Sequence, residues 1–246
     1  MQPSTPSRRD TPNAEHSTPD AVAAVPVWDL PVRFVHWALV ALLVLLIVTG
    51  KLGADWLEWH MRCGESVLAL IAFRILWGFV GSRNARFVTF VSTPTRVARY
   101  AGSVARRAKE TYVSHNPLGG WMVLALLAAL LAQVTAGLFA NDDILWEGPL
   151  AARVTKEASD AFSWFHRRFW WVIVALSIAH IGAVIAHLAL WRDDLITPML
   201  TGRKTLPVGS THPAHAAASL TKAGLLLALC ALAVWYGVTR LAPVAQ

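Results

Sequence analysis

Apolar residues in this chain gather into five runs, at about 32–50, 62–81, 118–140, 168–191 and 219–239, with polar segments between them. Each run is long enough to cross the hydrocarbon layer of a bilayer as one helix, so the pattern predicts five transmembrane helices. The fourth run is not a plain apolar span. Over residues 164–191, WFHRRFWWVIVALSIAHIGAVIAHLALW, it carries His166, His180 and His187. At about 100° per residue, the interval from His166 to His180 falls roughly 40° short of four turns, so the two share a face about 21 Å apart along the axis. His187 keeps to the same stripe, about 10 Å deeper. Ionisable side chains inside a span are costly, and a stripe of them points to a functional site.

The polar segments orient the spans. Residues 1–26 are rich in Pro, Ser, Thr and Ala and read as a disordered cytoplasmic tail. Arg8 and Arg9 lead into Asp10-Thr11-Pro12 rather than an apolar core, so neither a secretory nor a twin-arginine signal is expected. Segment 82–114, read as a loop, holds Arg83, Arg86, Arg96, Arg99, Arg106, Arg107 and Lys109 against Glu110 alone, which assigns it to the cytoplasm. The next loop, 141–163, holds Asp142, Asp143, Glu147, Glu157 and Asp160 against Arg153 and Lys156 and is expected on the periplasmic side, facing solvent or a soluble partner with a basic face. A membrane domain over 27–204 is followed by a polar linker, 205–218, in which His212 and His215 are expected to be solvated. The fifth helix then reads as a packing element. The whole is an all-α integral membrane bundle of the bacterial inner membrane, four core helices plus a fifth, with its N-terminus cytoplasmic and its C-terminus periplasmic.

Composition strengthens this picture. The 246 residues are 55% hydrophobic and 15% charged, with a mean hydropathy of +0.46, which suits a bundle embedded in lipid. The net charge of +7 does not imply nucleic acid, because the basic residues flank apolar spans and no basic patch interleaves with stacking aromatics. Cys63 and Cys230 belong to no CxxCH or CxxC motif, so covalent haem, a thiolate metal site and a disulfide framework are all unsupported, leaving packing as their role.

Candidate chemistry lies in the other spans as well. His36 stands near the start of the first span, three residues after Arg33, and His60 opens the second, with Arg74 fourteen residues on and roughly on the same face. Arg74 must either snorkel to headgroups or meet an anion such as a buried haem propionate. Arg33 has the same propionate role open to it, as do Arg167 and Arg168 on the other side. The third span has no histidine. Its Gly119, Gly120 and Gly137 admit a closely approaching helix or flat cofactor, and Gln133 and Thr135 read as interhelical hydrogen bonders. Alternating topology puts His60 level with His166 near the periplasm, and His36 level with His180 and His187 in the cytoplasmic half. Two bis-histidine sites follow, His60 with His166, and His36 with either His180 or His187. Neutral imidazole is a common ligand of haem iron, so two stacked haems would make an electron path through the bilayer. A proton relay through the same histidines is the competing reading.

Several phrases carry a family resemblance. VWDLPVRFVHW, HMRCGESVLALIAFRILWGFVGSRNARF, SHNPLGGWM, NDDILWEGPLA and MLTGRK, together with the His166, His180, His187 spacing, resemble the bacterial cytochrome b561 family and the related b-type cytochrome subunits of nickel-iron hydrogenases. The resemblance covers roughly residues 27–204. It implies two non-covalent haem b groups, ligated by His36 and His180 on the cytoplasmic side and by His60 and His166 on the periplasmic side. It also implies that His187 lies by a quinone pocket, with Lys109 or His115 from the loop side. The fifth span and the long tail depart from the family's four-helix core.

Three functions remain open on this reading. The first is an electron-transfer subunit, rather than a free-standing enzyme, linking a periplasmic c-type cytochrome, hydrogenase or dehydrogenase to quinone. The second is an autonomous superoxide:quinone oxidoreductase of the same fold. The third is a haem-free transporter or membrane anchor.

Overall fold

The computed structural model describes residues 22–108, 112–144, 146–207 and 218–241, apart from the side chains of Ala54, Pro207 and Leu241. Strand β1 (Val22–Pro26) leads into α1 (Leu30–Leu52), which starts where Asp29 accepts a hydrogen bond from the Val32 amide at 2.8 Å and Pro31 sits in the first turn. Then come α2 (Leu57–Val80), the one-turn α3 (Phe87–Phe90) and α4 (Pro94–Ala105). Helix α5 (Pro117–Leu138) repeats the start of α1, with Asn116 accepting from the Gly119 amide at 2.7 Å and Pro117 following. Helix α6 (Lys156–Trp191) is capped by Thr155, and α7 (Ile196–Thr201), β2 (Arg203–Pro207) and α8 (Leu220–Leu241) complete the chain. Helices α1, α2, α5, α6 and α8 are long and apolar enough to cross a membrane.

These five spans alternate in direction. The end of the bundle where α1 begins, the near end, also holds the end of α2, the start of α5 and the end of α6; the far end holds the opposite termini. Helix α2 is the hub, packing against α1, α5 and α8. Two apolar clusters line it: Val32, Val35, Phe73, Trp77, Ala223 and Cys230 on the side of α8, and Val67, Ile71, Leu127, Leu130 and Ile173 on the side of α5. Helix α6 packs along α5 but, among the described residues, forms no comparable seam with α1 or α2. A slot therefore runs between α1–α2 and α6.

All five predicted spans are present, and the bundle is helical as expected, with three additions. The fourth helix starts at Lys156 rather than near 168, because Ser159 and Ser163 tie its polar first turns to the preceding segment: Ser159 Oγ donates to the Phe139 carbonyl at 2.7 Å and Ser163 Oγ to the Asn141 carbonyl at 3.0 Å. At 36 residues it is about 54 Å long, far more than a hydrocarbon core of about 30 Å, so its amino-terminal turns stand outside the apolar layer. Part of the basic segment read as loop is the helix α4, its Tyr100 and Ser103 buried and Arg96 and Arg99 exposed. Finally, the close of the expected tail is not free: β1 pairs antiparallel with β2, Val22 opposite Pro207 and Pro26 opposite Arg203. Residues 203–204 and the start of the expected linker supply that second strand. A pairing between such distant stretches leaves no local trace in the sequence. His212 and His215 lie outside the described residues.

Candidate functional site

Four histidines face one another across the slot in two pairs. At the far end the rings of His60 and His166 have centroids 6.1 Å apart and stand at 89°. At the near end His36 and His180 have centroids 6.4 Å apart at 60°. Two imidazoles sharing one metal ion through bonds of about 2 Å put ring centres roughly 6 Å apart.

The far pair is seated by the same device on each side. His60 Nδ1 lies 3.1 Å from the Leu46 carbonyl oxygen and 3.1 Å from Thr49 Oγ1, on the last turns of α1. One turn beyond Leu46 is Gly50, where a Cβ would stand 3.2 Å from the His60 ring. His166 Nδ1 lies 2.9 Å from the Gln133 carbonyl oxygen of α5, and one turn on is Gly137, where a Cβ would stand 2.9 Å from its ring. Gln133 also donates its side-chain amide to the His166 carbonyl at 2.9 Å, as an interhelical hydrogen bonder should. A carbonyl that takes the Nδ1 proton fixes the tautomer and leaves Nε2 as the free ligand nitrogen.

His187 is arranged differently. Its Nδ1 is 3.6 Å from Asp193 Oδ2 and its Nε2 is 3.3 Å from the Asn116 amide nitrogen. Both nitrogens thus meet protein, while His180 is the one opposite His36. Depth along the helix had left that choice open.

The near end is also where cationic and unpartnered nitrogens collect. Arg74 is 6% exposed, so it does not reach out to headgroups; Nη1 donates to the Ala85 carbonyl at 3.3 Å and the guanidinium lies 5.3 Å from the Phe87 ring centre. Arg33 Nη2 donates to the Leu200 carbonyl at the end of α7. His115 lies between the rings of Phe90, at 4.4 Å, and Trp28, at 4.6 Å. Burial, with Arg74 and His180 alongside, pushes its imidazole down to about 3, so it is neutral at physiological pH. Arg33 Nε, His36 Nδ1 and His115 Nδ1 are buried without a hydrogen-bond partner. A carboxylate-bearing group in the slot would answer such unsatisfied nitrogens. Lys109 lies outside the described residues.

Among the described residues no three His, Cys, Asp or Glu converge, so a bare ion has no cage here. Paired imidazoles suit a metal whose remaining ligands come from its own macrocycle. The four histidines were legible from spacing. Gly137 was legible as a point of close approach, though not for which ring; Thr49, Gly50, Asn116 and Asp193 were not, since each acts on a histidine from another helix or from past the helix end.

Comparison with known proteins identifies the family. Residues 27–202 match the family described as prokaryotic cytochrome b561. The chain belongs to that family. Cytochromes of this family are helical membrane proteins with b-type haem, so this chain is a membrane electron-transfer cytochrome with haem b, and a haem-free transporter or anchor does not accord with it. Its relatives include a probable Ni/Fe-hydrogenase B-type cytochrome subunit of Bradyrhizobium diazoefficiens, 23% identical over 212 residues, which span 72% of this chain and 85% of the relative. The protein of the same description in Azotobacter vinelandii is 25% identical over 212 residues, spanning 73% and 88%. A probable Ni/Fe-hydrogenase 1 B-type cytochrome subunit of Escherichia coli K12 is 23% identical over 232 residues, spanning 77% and 94%. No solved structure matches.

Proposed function

We propose that this cytochrome passes electrons between a periplasmic redox partner and the quinone pool of the inner membrane through two haem b groups, the outer one held by His60 and His166 and the inner one by His36 and His180. The observation that carries the reading is the two facing imidazole pairs, 6.1 and 6.4 Å between centroids, at opposite ends of one slot. A haem held by two imidazoles would have no open position at its iron, which would suit electron carriage rather than oxygen chemistry.

Arg74 counters the propionates of the inner haem, assisted by Arg33 and His115, whose unpartnered nitrogens lie at that end. The near end is cytoplasmic by the positive-inside rule, since it bears Arg83, Arg86, Arg96, Arg99, Arg106 and Arg107. The N-terminus is then inside and the end of α8 periplasmic. Quinone binds at His187, beside Asn116. The relatives' names make a nickel-iron hydrogenase the first partner to test, with c-type cytochromes and other dehydrogenases as the alternatives.

The test is a reduced-minus-oxidised spectrum with pyridine haemochrome quantification of the purified protein. Two b-type haems per chain are expected. His60→Ala and His180→Ala should each leave one, and His187→Ala should keep both but lose reduction by quinol. A single haem in the wild type, or loss of haem from His187→Ala, would overturn the assignment.

A further inference from the structure

Beyond the paired histidines, the near end carries a second polar cluster, built around His187. Helix α6 ends in a left-handed turn at Arg192, and the amides of Arg192 and Asp193 both donate to the His187 carbonyl. That turn brings the Asp193 carboxylate back over the His187 ring, 3.6 Å from Nδ1. The other carboxylate oxygen is held by Lys204 Nζ at 2.7 Å. Lys204, 7% exposed, is itself fixed from strand β2 and donates to the Tyr112 carbonyl at 3.0 Å. Among the described residues His187 also meets the Asn116 amide at Nε2 and the Trp191 ring, 5.1 Å away. The Asp193 side chain is 18% exposed, so it touches both His187 and water.

We infer that Asp193 is the proton-exchange partner of His187, and that His187 and Asp193 form the proton path between bound quinone and the near-end aqueous phase. The inference rests on the quinone reading of His187 given above. Oxidation of a quinol gives up two electrons and two protons. The electrons would leave singly, to a b-type haem held by His36 and His180. Each proton passes from a quinol hydroxyl to His187 Nε2, taking the place of the Asn116 contact, while the Nδ1 proton moves to Asp193 Oδ2 after a small side-chain rotation and then to water. The ring is then neutral but carries its hydrogen on Nε2, and a ring flip or return of a proton to Nδ1 with release of the Nε2 hydrogen restores the starting tautomer before the second proton is taken. Quinone reduction runs the same path backwards. Lys204 positions the carboxylate by anchoring the oxygen that does not face the ring.

The test is stopped-flow mixing of the oxidised holoprotein with a short-chain ubiquinol, reading haem reduction by absorbance. Asp193→Asn should retain both haems and the dithionite-reduced spectrum, yet slow reduction by quinol by about tenfold or more. Added formate should restore part of the rate, and Asp193→Glu most of it. Asp193→Asn reduced as fast as the wild type would overturn the inference, as would a slowed variant that neither formate nor Asp193→Glu rescues. If Asp193→Asn loses haem, a Glu variant that regains haem but not rate overturns it equally. Wild-type protein inert to quinol would instead bring down the quinone reading itself.

Discussion

A single hydrogen atom at position 137 decides whether His166 stands where it does. A methyl group there would meet Cε1 at 2.9 Å and Nδ1 at 3.2 Å, so the ring must shift from its seat beside the Gln133 carbonyl. Gly137→Ala is therefore expected to bind one haem b per chain instead of two, read by pyridine haemochrome. Gly182→Ala, on the same helix as His166 but with nothing within 4 Å of the added carbon, should leave the count unchanged. At this scale the sequence was legible only where a residue type is chemically loud. His36, His60, His166 and His180 stood out because imidazoles in apolar spans are rare. Gly50 and the carbonyls of Leu46 and Gln133 are silent, since a backbone oxygen has no letter and a glycine's purpose depends on what crosses it; Gly137 told of a close approach but not of the ring that makes it. Gln133 read correctly as an interhelical bonder, although its partner, the His166 carbonyl, was beyond reach.

Hydropathy made every long helix visible, because a span must satisfy its backbone within itself and so leaves a continuous apolar run. Shorter elements escaped for the complementary reason. Helix α4 is short and carries arginines on an exposed face, so it looked like loop, and β1 and β2 recognise only each other. Helix α8 was expected to pack and does: Ala223 and Cys230 lie against the cluster of Val35, Phe73 and Trp77, and Lys222 donates to the Val80 carbonyl at the end of α2, at 2.9 Å. All of this is on the side of α2 away from the slot. A chain ending at Pro207 should therefore keep its full haem content while its thermal denaturation, followed by loss of the haem Soret band, shifts to lower temperature. Loss of a haem on truncation would mean that α8 helps to shape the slot.

Taken whole, the molecule is two helical hairpins, α1–α2 and α5–α6, closed over a slot, with α8 outside. The paired histidines of the first hairpin, the proposed ligands, come from two helices; those of the second come from α6 alone. The distance between the two imidazole pairs is therefore set by the rise of one helix, and their relative rotation by its twist. One alanine inserted between Val174 and Ala175 would turn everything beyond it by about 100°. Such a chain should keep the haem at His60 and His166 and lose the other, whereas Val174→Leu should keep both. The stretch from 167 to 179 is thus written in a peculiar code: its spelling is free to drift, but its length is locked in phase, and a frame of one residue is the difference between a conductor and an open circuit.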